Sequence, residues 1–394
     1  MLPSPPQRNA RDEKPVALDF QATTPCAPEV VEAMEPWWQI QWGNPSSRQH
    51  RLGLMAAVAV SDARDRLAAC LNVDPEQMIF TSGATEANNL ALLGHARAMA
   101  EQAGRPGHLI SVCTEHHAVL DPLQQLKREG FRLTLLTTGA DGLVTPCQVE
   151  DALQPDTMLV SVMAANNEIG VIQPLEQLAD VCHAQGARLH SDAAQAFGNM
   201  PFHPKRLGVD LASISGHKLY GPKGIGALVV GEGIKLQPLQ FGGGQERGLR
   251  PGTLPVPLIV GLARAAELAL EDLDARSLRM VELRNQLWRG LQEQVEGVQL
   301  NGALEHRLPH NLNIHVAGIN GNRLQQALRG RLHCSSGSAC SAGSPSHVLQ
   351  ALGLSREEAN ASLRLSLGRM TEKEDINRAI QAISDVVSGL RQGH

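Results

Sequence analysis

The sequence predicts an α/β fold: a large domain on a mostly parallel sheet, followed by a smaller α/β domain. Three observations carry this expectation. Short apolar runs alternate with amphipathic stretches from Met78 to Val230, the pattern of repeated βαβ crossovers. The chain has 394 residues, more than one ordinary core serves and about what two domains need. After Val230 the alternation gives way to a glycine-rich loop, Gly242 to Gly252, and then to a long helical stretch from Pro257 to about Val295. The expected divisions are a mobile N-terminal arm over 1–17 that joins the small domain, a large domain over 18–260 and a small C-terminal domain over 261–394.

Each element has a local reason. The segment up to Lys14 is rich in proline and charge and offers little to bury. Between Ser46 and Asn72, Leu54, Ala57, Val58 and Leu67 share one helical face while Asp62 and Arg66 sit one turn apart on the other, which predicts a surface helix. Met78 to Ser82, Leu109 to Cys113, Phe131 to Thr137 and Met158 to Ala164 read as strands. So do Arg188 to Ser191, Leu211 to Ile214 and Ile225 to Val230. Helices are expected over Thr85 to Ala100, up to Glu129, and over Pro174 to Gln185. In the second domain, Asn311 to Val316 and Leu363 to Leu367 are strands. Thr371 and Glu374 form a capping box before the stripe Ile376, Ile380, Ile383, Val387 and Leu390.

Composition excludes several classes of function. Apolar residues at 42% and charged residues at 19% are globular, so most of the chain is ordered. The net charge is −5 and no basic block is present, so no direct nucleic-acid partner is expected. No apolar run approaches the roughly 18 residues that span a bilayer, and the start lacks an apolar signal core. A soluble cytoplasmic protein is the expectation. The seven cysteines are odd in number and contain no Cys-x-x-Cys pair, which suits a reducing compartment.

In a parallel sheet ligands sit beyond the carboxyl ends of the strands, so the polar residues ending these strands are the ones to read. Lys218 lies in Ile-Ser-Gly-His-Lys-Leu-Tyr-Gly-Pro-Lys-Gly, residues 214–224, between two strands and among glycines. A lysine shielded from water there has a lowered pKa and can attack a carbonyl to form a Schiff base. The ordinary fate of a lysine is a solvated surface charge. Here only seven lysines accompany 28 arginines, and a desolvated one is the reactive kind. A Schiff-base lysine implies pyridoxal phosphate, which needs a carboxylate for its ring nitrogen, a phosphate cradle and a flat partner for its ring.

Each of these has a candidate. Asp192 ends a short apolar strand 26 residues before Lys218; its bland alternative is a helix N-cap. Thr81 to Glu86 reads strand, glycine, helix start, where free backbone N–H groups attract phosphate. Glu115-His116-His117 can supply an imidazole to stack, while adjacent histidines point opposite ways and make a poor metal pair, so no metal is expected. Asn166-Asn167-Glu168 can bond a phenolic oxygen, although asparagine runs more often make turns. The joint occurrence outweighs any one of them. In the second domain Ser335 to Ser344 surrounds Cys340 with small side chains; this is either a plain linker or a mobile loop with an accessible nucleophilic thiolate. Cys334 looks structural. Arg364, in an apolar strand, can clamp a carboxylate, against the reading of a surface ion pair.

Taken in order, Ala22-Thr23-Thr24-Pro25, Gly43-Asn44-Pro45-Ser46-Ser47, Thr81 to Asn89, Asn166 to Gly170 and Asp192 to Gln195 resemble the cysteine desulfurases. These are fold-type I pyridoxal-phosphate enzymes of the class V aminotransferase group. His217-Lys218, Gly242 to Thr253, Ser336 to Cys340 and Pro345 to Leu349 continue the resemblance, which runs from Leu18 almost to the end. It implies a large domain that binds the cofactor and a small one that carries the cysteine loop. Lys218 would hold the cofactor, Asp192 would pair with its ring nitrogen and His117 would stack on the ring. Asn167 and Gln195 would bond its phenolic oxygen. Thr85, Ser215 and His217 would hold the phosphate, with Ala84 beside them and Thr253 from a partner subunit, hence a homodimer. Asn44 and Arg364 would grip the carboxylate of L-cysteine.

The activity so implied converts L-cysteine to L-alanine. Lys218 moves protons, Cys340 takes the sulfur as a persulfide, and the loop passes it to a protein acceptor. Iron–sulfur cluster assembly on a scaffold, tRNA thiolation and DNA sulfur modification are the open destinations. The alternatives are selenocysteine lyase, another pyridoxal-phosphate transferase or lyase of this fold, and a non-enzymatic partner-binding homologue. Three departures from the family are visible: Pro345 lies only five positions after Cys340, Pro251 replaces the usual serine, and Phe20-Gln21 replaces the commoner pair before Ala-Thr-Thr.

Overall fold

Strands that are apolar on both faces belong between two helical layers. In the computed structural model, which describes residues 14–336 and 345–392, seven strands, most of them buried on both faces, make the central sheet. With β1 at Val16–Ala17, they are β2 Met78–Thr81, β3 His108–Val112, β4 Arg132–Leu136, β5 Thr157–Ser161, β6 Arg188–Asp192, β7 Leu211–Ser215 and β8 Gly226–Val230. Their order is β2-β8-β7-β6-β5-β3-β4. Only β8 runs against the others. The carboxyl ends of β2, β3, β5, β6 and β7 therefore open on one edge of the sheet.

The two faces are separate cores. Met78 and Phe80 point into one and Ile79 into the other, as period-2 alternation requires. The larger core takes the helices Arg51–Leu71, Leu175–Ala184 and Val256–Glu271; the smaller takes Leu90 to Ala96 and the helix His117–Arg128. Gly226 is required by close approach, since a Cβ there would lie 2.4 Å from the Ile214 carbonyl oxygen and 2.7 Å from Gly83 Cα.

The small domain has its own core. In it β10 Asn311–Val316 pairs antiparallel with β9 Val298–Leu300 and β12 Ser362–Ser366. The helices Leu273–Gln294 and Lys373–Gln392 cover this sheet through Leu283, Leu287, Ile376 and Ile383. β11, Leu332–His333, pairs in parallel with β1, and Val16 and Leu18 lie in the same core.

Three local expectations need correction. In the helix Arg51–Leu71, Leu54 is 49% and Val58 67% exposed, while Gly53, Ala56, Val60, Ala63 and Leu67 are buried. The small side chains let the helix Val256–Glu271 pack close, so the partner rather than the size of the apolar residues decided the face. The change of core falls at Asp272, between two helices, and not near residue 260. The capping box at Thr371 and Glu374 is absent: Thr371 is buried with its hydroxyl accepting from Gly368 N–H, and Asp375 accepts from Glu372 N–H instead.

Candidate active site

At the common edge of the strands lies a cavity of about 500 Å³, within the range of small-molecule sites. Its floor comes from the large domain. Lys218 follows β7 in a single 3-10 turn, Gly216–Lys218, and its Nζ donates to the carbonyl oxygens of Gln21 (2.5 Å) and Ala22 (3.0 Å). Asp192 ends β6 and is 7% exposed; its Oδ2 accepts from Asn88 Nδ2 at 2.7 Å and its Oδ1 from Ala194 N–H at 2.9 Å. The carboxylate is thus fixed on both sides before any ligand arrives.

Ser82 and Gly83 turn the chain from β2 into a helix that starts at Ala84, and Gly83 adopts φ +149°, which favours glycine. Ala84, Thr85, Ser215 and His217 all reach the cavity wall there. Burial pushes the Glu86 carboxyl up, but hydrogen bonds from Arg250 and Ser82 outweigh it and hold the group below its usual range. His217 Nδ1 lies 3.1 Å from Thr23 Oγ1; burial, Lys218 and Lys223 push its pKa down to about 4, so the ring is neutral. Asn167 and Gln195 are on the wall, with Gln195 Nε2 donating to the Gln21 carbonyl at 3.1 Å.

The histidine assignment moves by one residue. His116, not His117, lines the cavity. His116 caps the helix His117–Arg128: its Nδ1 accepts from Ala118 N–H at 3.0 Å, which fixes the ring and leaves the proton on Nε2. Burial lowers its pKa, Lys218, His117 and His347 add to this, and Asp192 opposes them. His117 begins the helix and points outward, its side chain 45% exposed, with Nδ1 3.6 Å from Asp121 and its ring 4.8 Å from that of His347.

Among the described residues the small domain supplies one wall residue. Arg364, 2% exposed on β12, donates to the Asn167 carbonyl and to Asp19 Oδ1, each at 2.9 Å. Two other expected residues stand elsewhere in this chain: Asn44 is exposed, with Oδ1 accepting from Ser46 N–H, and Thr253 is exposed; neither lines the cavity. Cys340 lies outside the described residues. Its flanks do not: Ser335 pairs with Arg364 through the backbone, and Ser346 Oγ donates to Glu168 Oε2 at 2.5 Å. Both ends of the cysteine segment are therefore tied next to Asn167 and Arg364.

Two residues to which the sequence assigned no role support the wall, Gln21 on it and Asn88 behind it. Gln21 receives Lys218 and Gln195, and Asn88 holds Asp192. Asn88 lies one helical turn after Thr85, inside the matched segment Thr81 to Asn89, so that spacing was the available signal. Behind the wall Glu115 is fully buried; burial raises its carboxyl well above the usual range, with Asp192 adding to this and the hydrogen bond from Met163 N–H opposing it.

Pyridoxal phosphate can be tested against these groups. Asn167 Oδ1 and Arg364 Nε are buried without hydrogen-bond partners. An amide and a guanidinium left short of partners at the cavity wall are what a ligand rich in oxygen would satisfy. With a half-buried lysine, a braced carboxylate and a neutral imidazole on the same wall, the donor set fits the cofactor.

Residues 16–379 match the model of the aminotransferase class-V family. The chain belongs to this family. It is 45% identical over 382 residues to a cysteine desulfurase IscS of Methylobacillus flagellatus, covering 96% of this chain and 93% of that one. Among solved structures, a NifS-like protein superposes with TM-score 0.89 at 36% identity, covering 95% of this chain and all of that one. SspA in complex with cysteine superposes with TM-score 0.79 at 38% identity, covering 90% and 99%. As a class-V aminotransferase of the cysteine desulfurase group, this chain is a pyridoxal-phosphate enzyme of fold type I.

Proposed function

We propose that the protein is a cysteine desulfurase that takes sulfur from L-cysteine onto Cys340 as a persulfide, releases L-alanine and passes the sulfur to an acceptor protein. The observation that carries this reading is the meeting of Lys218, Asp192 and His116 with Arg364 in one cavity whose rim holds both ends of the Cys340 segment. The relatives named cysteine desulfurase and the neighbour that holds cysteine support it.

Pyridoxal phosphate, when bound, supplies an electron sink for bonds at the substrate's α-carbon. The chain's own residues do the rest. Lys218 would hold the cofactor and, with its amine free, would hold or move a proton beside the substrate's α-carbon. Asp192, braced by Asn88 and Ala194, would hold the proton on the ring nitrogen. His116, on the cavity wall, would serve as a neutral flat partner for the ring. Asn167 and Gln195 would orient the phenolic oxygen, and Ala84, Thr85, Ser215 and His217, which line the cavity, would surround the phosphate. Arg364 exchanges a present acceptor for the substrate carboxylate.

Homodimerisation is part of the proposal. Trp38, Ile40 and Trp42 are 56%, 73% and 67% exposed, and Leu54 and Val58 are exposed on a neighbouring helix, more apolar surface than a lone soluble chain usually shows. Asn44 and Thr253 are exposed near glycine-rich turns, as residues that serve a partner's cavity would be. An iron–sulfur scaffold is the proposed acceptor. No helix among the described residues is long and apolar enough to cross a membrane, and the six described cysteines are free thiols, which supports a cytoplasmic setting.

The test is Cys340→Ser. The variant should keep the visible absorption of bound cofactor while alanine release from cysteine falls at least about 100-fold. A fully active Cys340→Ser protein would overturn the reading.

A further inference from the structure

A second, smaller cavity lies between the domains and shares Lys218 and Gln195 with the first. Among the described residues its charged lining has one sign: Lys218, Arg276 and Arg369, with His310 and neither Asp nor Glu. The Arg276 side chain is 9% exposed and its acidic partner, Asp272, is 55% exposed, so the counter-charge is largely in water. Arg369 lies 4.7 Å over the Tyr220 ring, and its Nε is buried without an acceptor. Burial lowers the Arg276 pKa and Arg369 lowers it further; burial, Arg276 and Arg284 push His310 down to about 4. Like charges brought together out of water are costly unless something of opposite sign sits with them.

We propose that this cavity binds one small monovalent inorganic anion of the halide class beside Arg276 and Arg369. The space, about 30 Å³, holds one or two water-sized species, enough for a halide and too little for a sulfate or phosphate with its shell. The site joins the domains: Arg276, on the helix Leu273–Gln294, donates to the carbonyls of Gly198 (2.6 Å) and Ala269 (2.7 Å), and Arg369 N–H donates to Tyr220 Oη (2.7 Å). An anion there relieves the repulsion and tightens the interface beside Lys218. The inference stands apart from the proposed reaction.

The experiment is thermal unfolding of the full-length protein without added cofactor, in sodium bromide against sodium gluconate at constant ionic strength. Bromide should raise Tm saturably, by on the order of 2 °C at tenfold excess over its Kd. Arg369→Met, which keeps an apolar stem over Tyr220, should lose that rise. Should Arg369→Met fail to fold, crystals of the unaltered protein grown with bromide decide through its anomalous scattering. A peak within contact of Arg276 and Arg369 supports the site. No peak there, or a bromide response equal in Arg369→Met, overturns it.

Discussion

The two walls of the cavity are built in different ways. Asp192, Ser215 and Lys218 stand at the ends of β6 and β7, strands whose neighbours on both sides fix them by backbone ladders and whose faces are buried in two cores. Arg364 arrives from the other domain and is held to the first by two hydrogen bonds, to Asn167 and Asp19. The first wall is preorganised by the sheet; the second rests on contacts that a charged ligand can trade. Retention of the cofactor and capture of the substrate should therefore fail separately.

The sharpest break comes from the first wall. Lys218→Ala should abolish the visible absorption of bound cofactor and lower activity by on the order of 1000-fold or more, while the fold survives because the side chain lies at the cavity wall, where its Nζ donates to the loop carbonyls of Gln21 and Ala22. Absorption spectra and alanine release check this, and a variant that keeps both would remove the central role of Lys218. The second wall should fail in another manner. Arg364→Lys keeps the charge but loses the planar fork, so KM for cysteine should rise roughly 10- to 100-fold with the cofactor spectrum unchanged. Loss of the spectrum in Arg364→Lys would mean that the walls are not separable.

What was legible in the sequence follows the same division. Short apolar runs placed all seven strands, and a polar residue after each run located Lys218, Asp192 and Asn167, because sheet ends are set by local pattern. Contacts between distant segments were not legible. Asn88 and Asp192 are 104 positions apart, and nothing local says that an amide in one helix braces a carboxylate in another strand. Leu54 and Val58 look like a core face until the partner helix is known to prefer the alanine side. Thr371 and Glu374 have capping spacing, yet Thr371 was more use to Gly368 in the buried turn.

Acid sharpens the contrast by acting on the buried frame. Burial pushes His190 down to about 3 in the folded chain, and burial with nearby cations pushes His217 and His310 to about 4. Unfolded, the same rings titrate near 6.5. Between about 6.5 and about 4 the unfolded chain binds more protons, so stability falls as pH drops through that window and these rings add no slope above it. The urea midpoint should therefore decline from pH 7 to pH 5, by at least about 1 kcal/mol in stability, with an unchanged denaturant slope. A midpoint that is flat or rises toward pH 5 would show that these rings are not held neutral.

The finest test separates two adjacent residues. His116 and His117 carry the same side chain, and only the helix start distinguishes them: the capping residue bends its ring back onto Ala118 N–H and the cavity, while the first helical residue faces Asp121 and solvent. His116→Ala removes a flat partner worth about 0.5–1.5 kcal/mol, so cofactor affinity, read by absorbance titration of the apoprotein, should fall about three- to tenfold. His117→Ala removes an exposed contact of the kind that contributes little, and affinity should stay within about twofold. Equal losses would mean that the helix start does not choose between them, and a larger loss at His117 would restore the order that the bare sequence suggested.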